Sequence, residues 1–541
     1  MEVKSKMKEY HERIRLITDK ADHLRDALLA PVLDQATGQF IGDQRTRADR
    51  LEAATKTSIF EGLGKGAAMA QATWSNAFRH YCLQRGHMPS DEMLASAYQA
   101  LENALSATTG KGQQKVGGML LEAANISTTD GILMRDRMVA LILPVMLLSV
   151  TGNIVSYIPG TFNQSEIFKI WRVAASTFGD LTVNDKIRHD FSGQYSSMDQ
   201  RFLTGTGNGS KTGSGTTDFD LNSNTKWSAI RPFKKKSVKV LHDRNVVAVD
   251  DGAAALHGSF VVGGTTITVT GTVNYASGIV HPVFSTAPAT GIEIHVGVDI
   301  DIEKDPTLIP GVNHEMDSRT IYPHESAIEA STTLQSLWTL RREFNLNAES
   351  MAMLAMRNLL SADKDRKHLA DMYFYMKGQV SWNMHIPDQV YFQEHYETLK
   401  QTLLEIDSDL MAQTGTSGLV GIVADAKSAV VLKSMREPNF ISYPGYVRIP
   451  QPHYVGRLFG MWDVYEDPQR ATDYSCLCYA KGKGLGEAGY IAGDAIPAMA
   501  FKHAMQSDLK YENTLWELAY RDLNPFDGRE YFMELAITNV P

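Results

Sequence analysis

The period of the hydrophobic positions changes several times along this chain, and the changes mark its parts. Val3, Met7, Tyr10, Ile14, Ile17, Ala21, Leu24 and Leu28 alternate steps of four and three, which is a heptad seam on an otherwise charged helix. Such a seam takes a partner helix, from its own chain or another molecule, or lies as one amphipathic helix on a globular body. Polar helical sequence continues to about residue 125, with glycine- and lysine-rich joints at 62–66 and 108–118. Residues 1–115 therefore read as an appendage. From Ile132 the chain turns apolar and then β-prone, ending in Tyr157-Ile158-Pro159-Gly160, and Ile167–Val173 with Trp171 makes the next strand. The globular body begins there.

Period two takes over downstream. Val/Thr/Phe runs between 258 and 303 are separated by the turn signals Gly263-Gly264, Gly271, Ser277-Gly278 and 288–291. Ile292, Ile294, Val296, Val298, Ile300 and Ile302 alternate with polar residues or glycine, predicting a long half-buried strand. This predicts a small β-module, about 245–303, inserted in a larger domain. The helical period returns over Asn347–Gly378, with apolar residues at Met351, Leu354, Ala355, Leu359 and Ala362, then Leu369, Met372, Tyr373 and Met376. Asn347 can cap its start, Lys377 suits the negative end of the helix dipole, and Gly378 can terminate it. At ~1.5 Å per residue the helix would be roughly 45 Å long. Its charged middle, Asp363–His368, reads either as an exposed turn of a core helix or as the waist of a rod that meets a neighbouring chain. Beyond it, a mixed α/β body is predicted: a buried strand over Gly418–Ala424, a helix over Ala424–Met435, a strand over Tyr446–Pro450, and two more strands within 456–482.

Composition narrows the function classes. With 541 residues, 43% hydrophobic and 21% charged, the chain is ordinary globular sequence of several domains. The net charge of −9, from 53 basic and 62 acidic residues, argues against a surface built to grip phosphate backbones. The three cysteines do not form a disulfide framework. The charged N-terminus and the lack of a ~18–20-residue apolar run lead us to expect a soluble protein without a targeting signal or membrane contact.

Candidate chemistry is sparse. The run Thr204–Thr216 holds glycines and Lys211-Thr212, but Ser210 precedes the lysine and no strand and helix flank it, so it reads as a loop and not a phosphate cradle. Gly484-Leu-Gly486-Glu-Ala-Gly489 spells a dinucleotide pattern without an adequate following helix. His314, Asp317, His324 and Glu325 are ligand types without zinc-like spacing. We expect no catalytic residue, cofactor or metal. The concentrated basic run, Arg231 to Lys236, reads as a contact for an acidic partner or nucleic acid, or as a strand edge protected by lysine.

The order of parts resembles that of the major capsid proteins of tailed bacteriophages, with the α+β Hong Kong 97-like fold. Two stretches carry the resemblance: Ser318-Arg-Thr-Ile-Tyr-Pro-His-Glu325 onward into the long helix, and Tyr454-Val-Gly-Arg-Leu-Phe-Gly460 through Gly489-Tyr-Ile-Ala-Gly-Asp-Ala-Ile-Pro497 to Arg521. It covers roughly residues 130–541. It implies an N-terminal arm or scaffold-like region over 1–115, the start of a peripheral domain over 116–177, and an extended loop with its β-module over 178–313. It further implies the peripheral domain over 314–412 with 347–378 as spine helix, an axial domain over 413–519, and a return over 520–541. Ile59-Phe-Glu61 and Leu120-Leu-Glu122 fit a maturation-cleavage triplet, but so do Leu403-Leu-Glu405 and Leu515-Trp-Glu517 inside the body.

On this resemblance the chain self-assembles as hexamers and pentamers into an icosahedral shell around viral double-stranded DNA, in the virion after assembly in the host cytoplasm. Scaffold, portal, vertex or decoration proteins are implied as partners, and DNA is touched weakly and non-specifically. Ile14, Ile17 and Leu24, Lys234, Lys235 and Lys236, and Lys364, Arg366 and Lys367 are the expected inter-subunit contacts. The alternatives are a tail or baseplate component, or a hydrolase using His314 or His324.

Overall fold

The computed structural model describes residues 2–34, 39–109, 139–160, 164–188, 191–206, 219–220, 232–343, 348–387, 391–443, 446–470, 474–502 and 510–540. Most of the 108–118 joint and of the glycine-rich run, the stretch 132–138, Arg231 and Asn347 lie outside the described residues. Two compact units emerge, Met1–Lys169 with Asp317–Pro541, and Ile170–Met316. The fold is α+β.

The first unit opens with helices α1 (Glu2–Leu29), α2 (Gln44–Thr55), α3 (Ala67–Arg85), α4 (Asp91–Thr109) and α5 (Ile142–Leu148), then the short strand β1 (Ser156–Tyr157). The heptad seam of α1 finds its partner in α4 of the same chain. Ile17, Ala21, Leu24 and Leu28 are buried there, and Lys20 Nζ reaches Gln99 Oε1 and Glu102 Oε2, both at 2.5 Å. Residues 1–109 are therefore not an appendage. They share one hydrophobic core with Leu369, Tyr465, Tyr479, Tyr490 and Phe532 from the far end of the sequence. Arg85 fastens them further, its guanidinium carbon 3.7 Å from the Tyr454 ring centroid while Nη1 donates to the Tyr465 hydroxyl at 3.1 Å.

The chain leaves this unit through β2 (Ser165–Ala174). The second unit holds β3 (Asp199–Thr206), β4 (Phe219–Asp220), β5 (Lys239–His242), β6 (Asn245–Asp250), β7 (Ala255–Val262), β8 (Thr265–Asn274), β9 (Ile279–Phe284) and β10 (Glu293–Asp299). They form one eight-stranded sheet in the order β3-β10-β5-β6-β7-β8-β9-β4. The alternation seen in the sequence holds, with Ile294, Val296, Val298 and Ile300 buried in the unit's own core. Gly271 has a steric reason: a Cβ there would sit 2.2 Å from the His281 carbonyl oxygen of the paired strand. The basic run is not a strand edge. Lys234–Lys236 form an exposed turn ahead of β5, and the Lys236 N–H donates to Asp250 Oδ2 at 2.7 Å.

The return runs through β11 (Val312–Ile321), which pairs with β2, into β12 (His324–Thr333), α6 (Leu334–Glu343) and the long helix α7 (Ala348–Phe374). Then come β13 (Gln379–Asn383), α8 (Phe392–Thr414), β14 (Leu419–Asp425), α9 (Ala426–Lys433), β15 (Phe440–Ser442), β16 (His453–Leu458), β17 (Trp462–Asp467), β18 (Ser475–Ala480), β19 (Tyr490–Lys502), β20 (Lys510–Leu523) and β21 (Phe532–Thr538). Two sheets result, β1-β19-β20-β12 and β13-β21-β18-β14-β17-β16-β15.

Several expectations need correction. The described part of 446–450 is not a strand, and 456–482 contributes three strands, not two. The dinucleotide-like glycines lead into β19, in keeping with the expected lack of a following helix, and a Cβ at Gly489 would lie 2.5 Å from the Phe532 ring. Strand β19 pairs with β20, whose residues 510–519 pair in turn with β12, so 490–502 and 510–519 belong to the sheet beneath the long helix and not to the sheet of the 413–519 lobe. The helix itself stops at Phe374. There the Lys377 N–H donates to the Phe532 carbonyl at 2.9 Å, and Gly378 at φ +87° turns the chain into β13.

Candidate assembly surfaces

Helix α7 lies on the four-stranded sheet through Met356 and Leu360, which pack on Leu515 beside Ile328, Ala330, Ala498 and Ala500. Its later turns bury Leu369 and Met372 in the main core. Met351 and Leu359, which the apolar spacing put inward, are about half exposed.

The charged middle of α7 turns mostly inward. Lys364 makes a buried ion pair with Asp494 of β19, near Glu517 of β20. Burial alone would lower the lysine's pKa, yet the two carboxylates hold it above its ordinary value. The Asp365 carboxylate accepts from Ser149 Oγ at 2.5 Å and Thr151 Oγ1 at 2.9 Å. Burial pushes its carboxyl up, and those hydroxyls pull it partly back. His368 is buried too, and burial first, then Lys364, Arg521 and Lys367, hold its imidazole well below its ordinary value. Lys367 is exposed and pairs with Asp371 at 2.5 Å, while Arg366 is half-buried.

The nine expected contact residues thus divide. Ile17, Leu24 and Lys364 are committed inside the chain, with Ile14 half-buried on the same seam and Arg366 half-buried on α7. Lys234, Lys235, Lys236 and Lys367 are exposed. The structure does not gather them into one site.

What the sequence reading missed is the edge strand β12. All ten of its residues pair with β20 in unbroken register, from His324↔Ala519 to Thr333↔Lys510, and none is buried. Its other edge has no strand beside it among the described residues. Ten residues of regular edge without lysine, proline or bulge form a template for an added strand. Exposed apolar side chains lie on the adjoining elements: Tyr322 just before β12, Trp338 on α6 at 64% and Phe374 at the end of α7 at 80%. A signal was available, since Ser326–Thr333 is a run of small and β-branched residues without a gatekeeper charge beyond Glu329.

Among the described residues no group of three or more His, Cys, Asp and Glu side chains is arranged to hold a metal ion. His324 Nε2 lies 3.3 Å from Asp522 Oδ1 on an exposed strand end. Cys476 and Cys478 are buried on β18 as free thiols, and burial pushes Cys476 up to about 12. No helix among the described residues is long and apolar enough to cross a membrane.

Comparison with known proteins adds three findings. A family model described as a domain of unknown function, DUF8615, matches residues 5–149. Among solved structures, the chain is similar to the capsid of the jumbo bacteriophage PhiKZ, at 8% identity and TM-score 0.33, over 71% of this chain and 91% of that one. It is also similar to the capsid of the Myoviridae phage XM1, at 10% identity and TM-score 0.29, over 63% of this chain and 96% of that one. In sequence, Protein IncB of Escherichia coli is 35% identical over 182 residues, which are 32% of this chain and 86% of that protein. By that identity and that coverage of the relative, the chain belongs to the family of Protein IncB.

Proposed function

We propose that the chain is the subunit of a closed protein shell, a major capsid protein of the tailed-phage kind with a Hong Kong 97-like fold. The observation that carries this reading is one layer of the structure: a 27-residue helix on a sheet whose open edge strand directly follows a separate β-unit. In this reading α7 is the spine, its sheet the peripheral domain, the seven-stranded sheet the axial lobe, and Ile170–Met316 the extended loop with its inserted module. Closed shells need repeated heterologous contacts. The β12 edge, the exposed Tyr322 beside it in sequence, the Lys234–Lys236 turn and Lys367 are the surfaces offered for them.

Hexamers and pentamers enclosing double-stranded DNA complete the proposal, with scaffold, portal, vertex or decoration proteins as partners and the virion as destination. A net charge of −9 suits a container that holds its DNA without binding it tightly. The role is structural, without catalysis. The test is electron microscopy and sedimentation of the purified full-length chain across a concentration series. Closed particles of uniform size are expected; tubes, rings or monomers at every concentration would overturn the reading.

A further inference from the structure

A 3-10 turn, Val150–Asn153, with Ser149 before it, rests against α7 through hydrogen bonds to Asp365 and His368, of which the Thr151 hydroxyl is shared by both. Thr151 Oγ1 lies 2.9 Å from Asp365 Oδ1 and 3.1 Å from His368 Nδ1, and Ser149 Oγ also donates to Asp365 Oδ1 at 2.5 Å. Thr151 Oγ1 gives its single proton to Asp365 Oδ1, so towards His368 it can only accept and the imidazole donates from Nδ1. That fixes the neutral tautomer. Nε2 is then a bare lone pair, buried and without a partner, while the Tyr490 ring packs on the imidazole at 5.1 Å between centroids.

The charged surroundings resist a second proton on this ring. Lys364 and Lys367 approach from α7 and Arg521 from β20. The nearby anions are already engaged: Asp494 by Lys364, Asp371 by Lys367 and by the Tyr490 hydroxyl at 2.8 Å, and Asp365 by the two hydroxyls. Glu517 and Tyr157 also face Lys364, and burial pushes the Glu517 carboxyl up while Lys364 pulls it back. An Nε2–H would point into this setting with no acceptor in place. To find one, either the ring must turn out of its contact with Thr151 or water must enter beside the turn.

We propose that Thr151, Asp365 and His368 form a proton-operated clasp, in which protonation of the His368 imidazole releases the 149–155 turn from α7 while the surrounding sheets stay folded. The sign follows from which state binds the proton. A solvated histidine in the open state titrates near ~6.5, and the closed state holds His368 well below that. The clasp is therefore stable above the open-state value and weakens as pH falls below it, the opening equilibrium rising about tenfold per pH unit. Asp365 works in the opposite sense, because burial pushes its carboxyl up in the closed state.

Hydrogen exchange of the full-length chain tests this. The probes are the amides of Ile154 and Val155, which donate to the Thr151 carbonyl at 2.9 and 3.0 Å. Between pH 7.5 and 5, after correction for intrinsic exchange, their opening should rise roughly 30-fold. Amides of the buried strand β14 should stay unchanged. His368→Gln, neutral throughout, should keep the pH 7.5 protection and lose the acid response. Three results would each overturn the proposal: a flat wild-type profile, a glutamine variant that opens as the wild type does, or β14 amides exchanging in step with the turn. Should the glutamine variant fail to fold, the wild-type profile at the two sites decides alone.

Discussion

Replacing Lys364 by methionine distinguishes a residue that holds the subunit together from one that contacts a neighbour. Its side chain is 18% exposed and that of Asp494 12%, so the ammonium is largely out of water and its carboxylate partner almost completely so. Removing one member of a buried pair leaves an uncompensated charge, which costs about 3–5 kcal/mol. Glu517, also buried and attracted by the same lysine, adds a second carboxylate without a counter-charge, although it can take up a proton. The partial exposure of the pair allows some solvent relief, so we expect a loss near the lower end, about 3 kcal/mol. Lys364→Met with Asp494→Leu should recover most of it, because neither member of the pair is then stranded and Glu517 can take up a proton. The assay is urea denaturation of the unassembled subunit, followed for both variants by intrinsic fluorescence and circular dichroism. A loss under about 1 kcal/mol in Lys364→Met, together with fewer particles, would refute the internal role and return Lys364 to the assembly surface.

Other perturbations separate fold from assembly in the same way. Arg85→Met removes a stacked cation and a hydrogen bond between α3 and the seven-stranded sheet, and should cost roughly 2–3 kcal/mol in chemical denaturation. Gly271→Ala places a Cβ against the His281 carbonyl and should destabilise the second unit by about 1–3 kcal/mol, read as a shift in that unit's protease resistance. Ala327→Lys sits on the exposed β12 edge strand, so the subunit's stability should change by no more than about 0.5 kcal/mol while particle formation falls sharply by sedimentation. Charge reversal of Lys234, Lys235 and Lys236 together should likewise spare folding, since all three are exposed, and lower particle yield.

Much of this architecture was legible in the order of residues. The strict alternation at Ile294–Ile300 named the strand and its buried face, because a period of two leaves one choice of side. The α1 seam announced a helix that needed a partner, and the body of α7 announced itself by its length. The sequence alone therefore determined the α+β class and the existence of the long helix and of the β-module. It could not determine which surfaces meet. A heptad seam reads the same whether its partner is α4 or another molecule, and only the packed core settled that for Leu24 and Leu28. A charged stretch such as Asp363–His368 looks solvated until Asp494, more than a hundred residues away, supplies the counter-charge that makes burial tolerable. The helix end likewise moved from Gly378 to Phe374 because a hydrogen bond to Phe532 competed with the next helical turn. In each case the deciding partner is distant in sequence, and local periodicity carries no information about it.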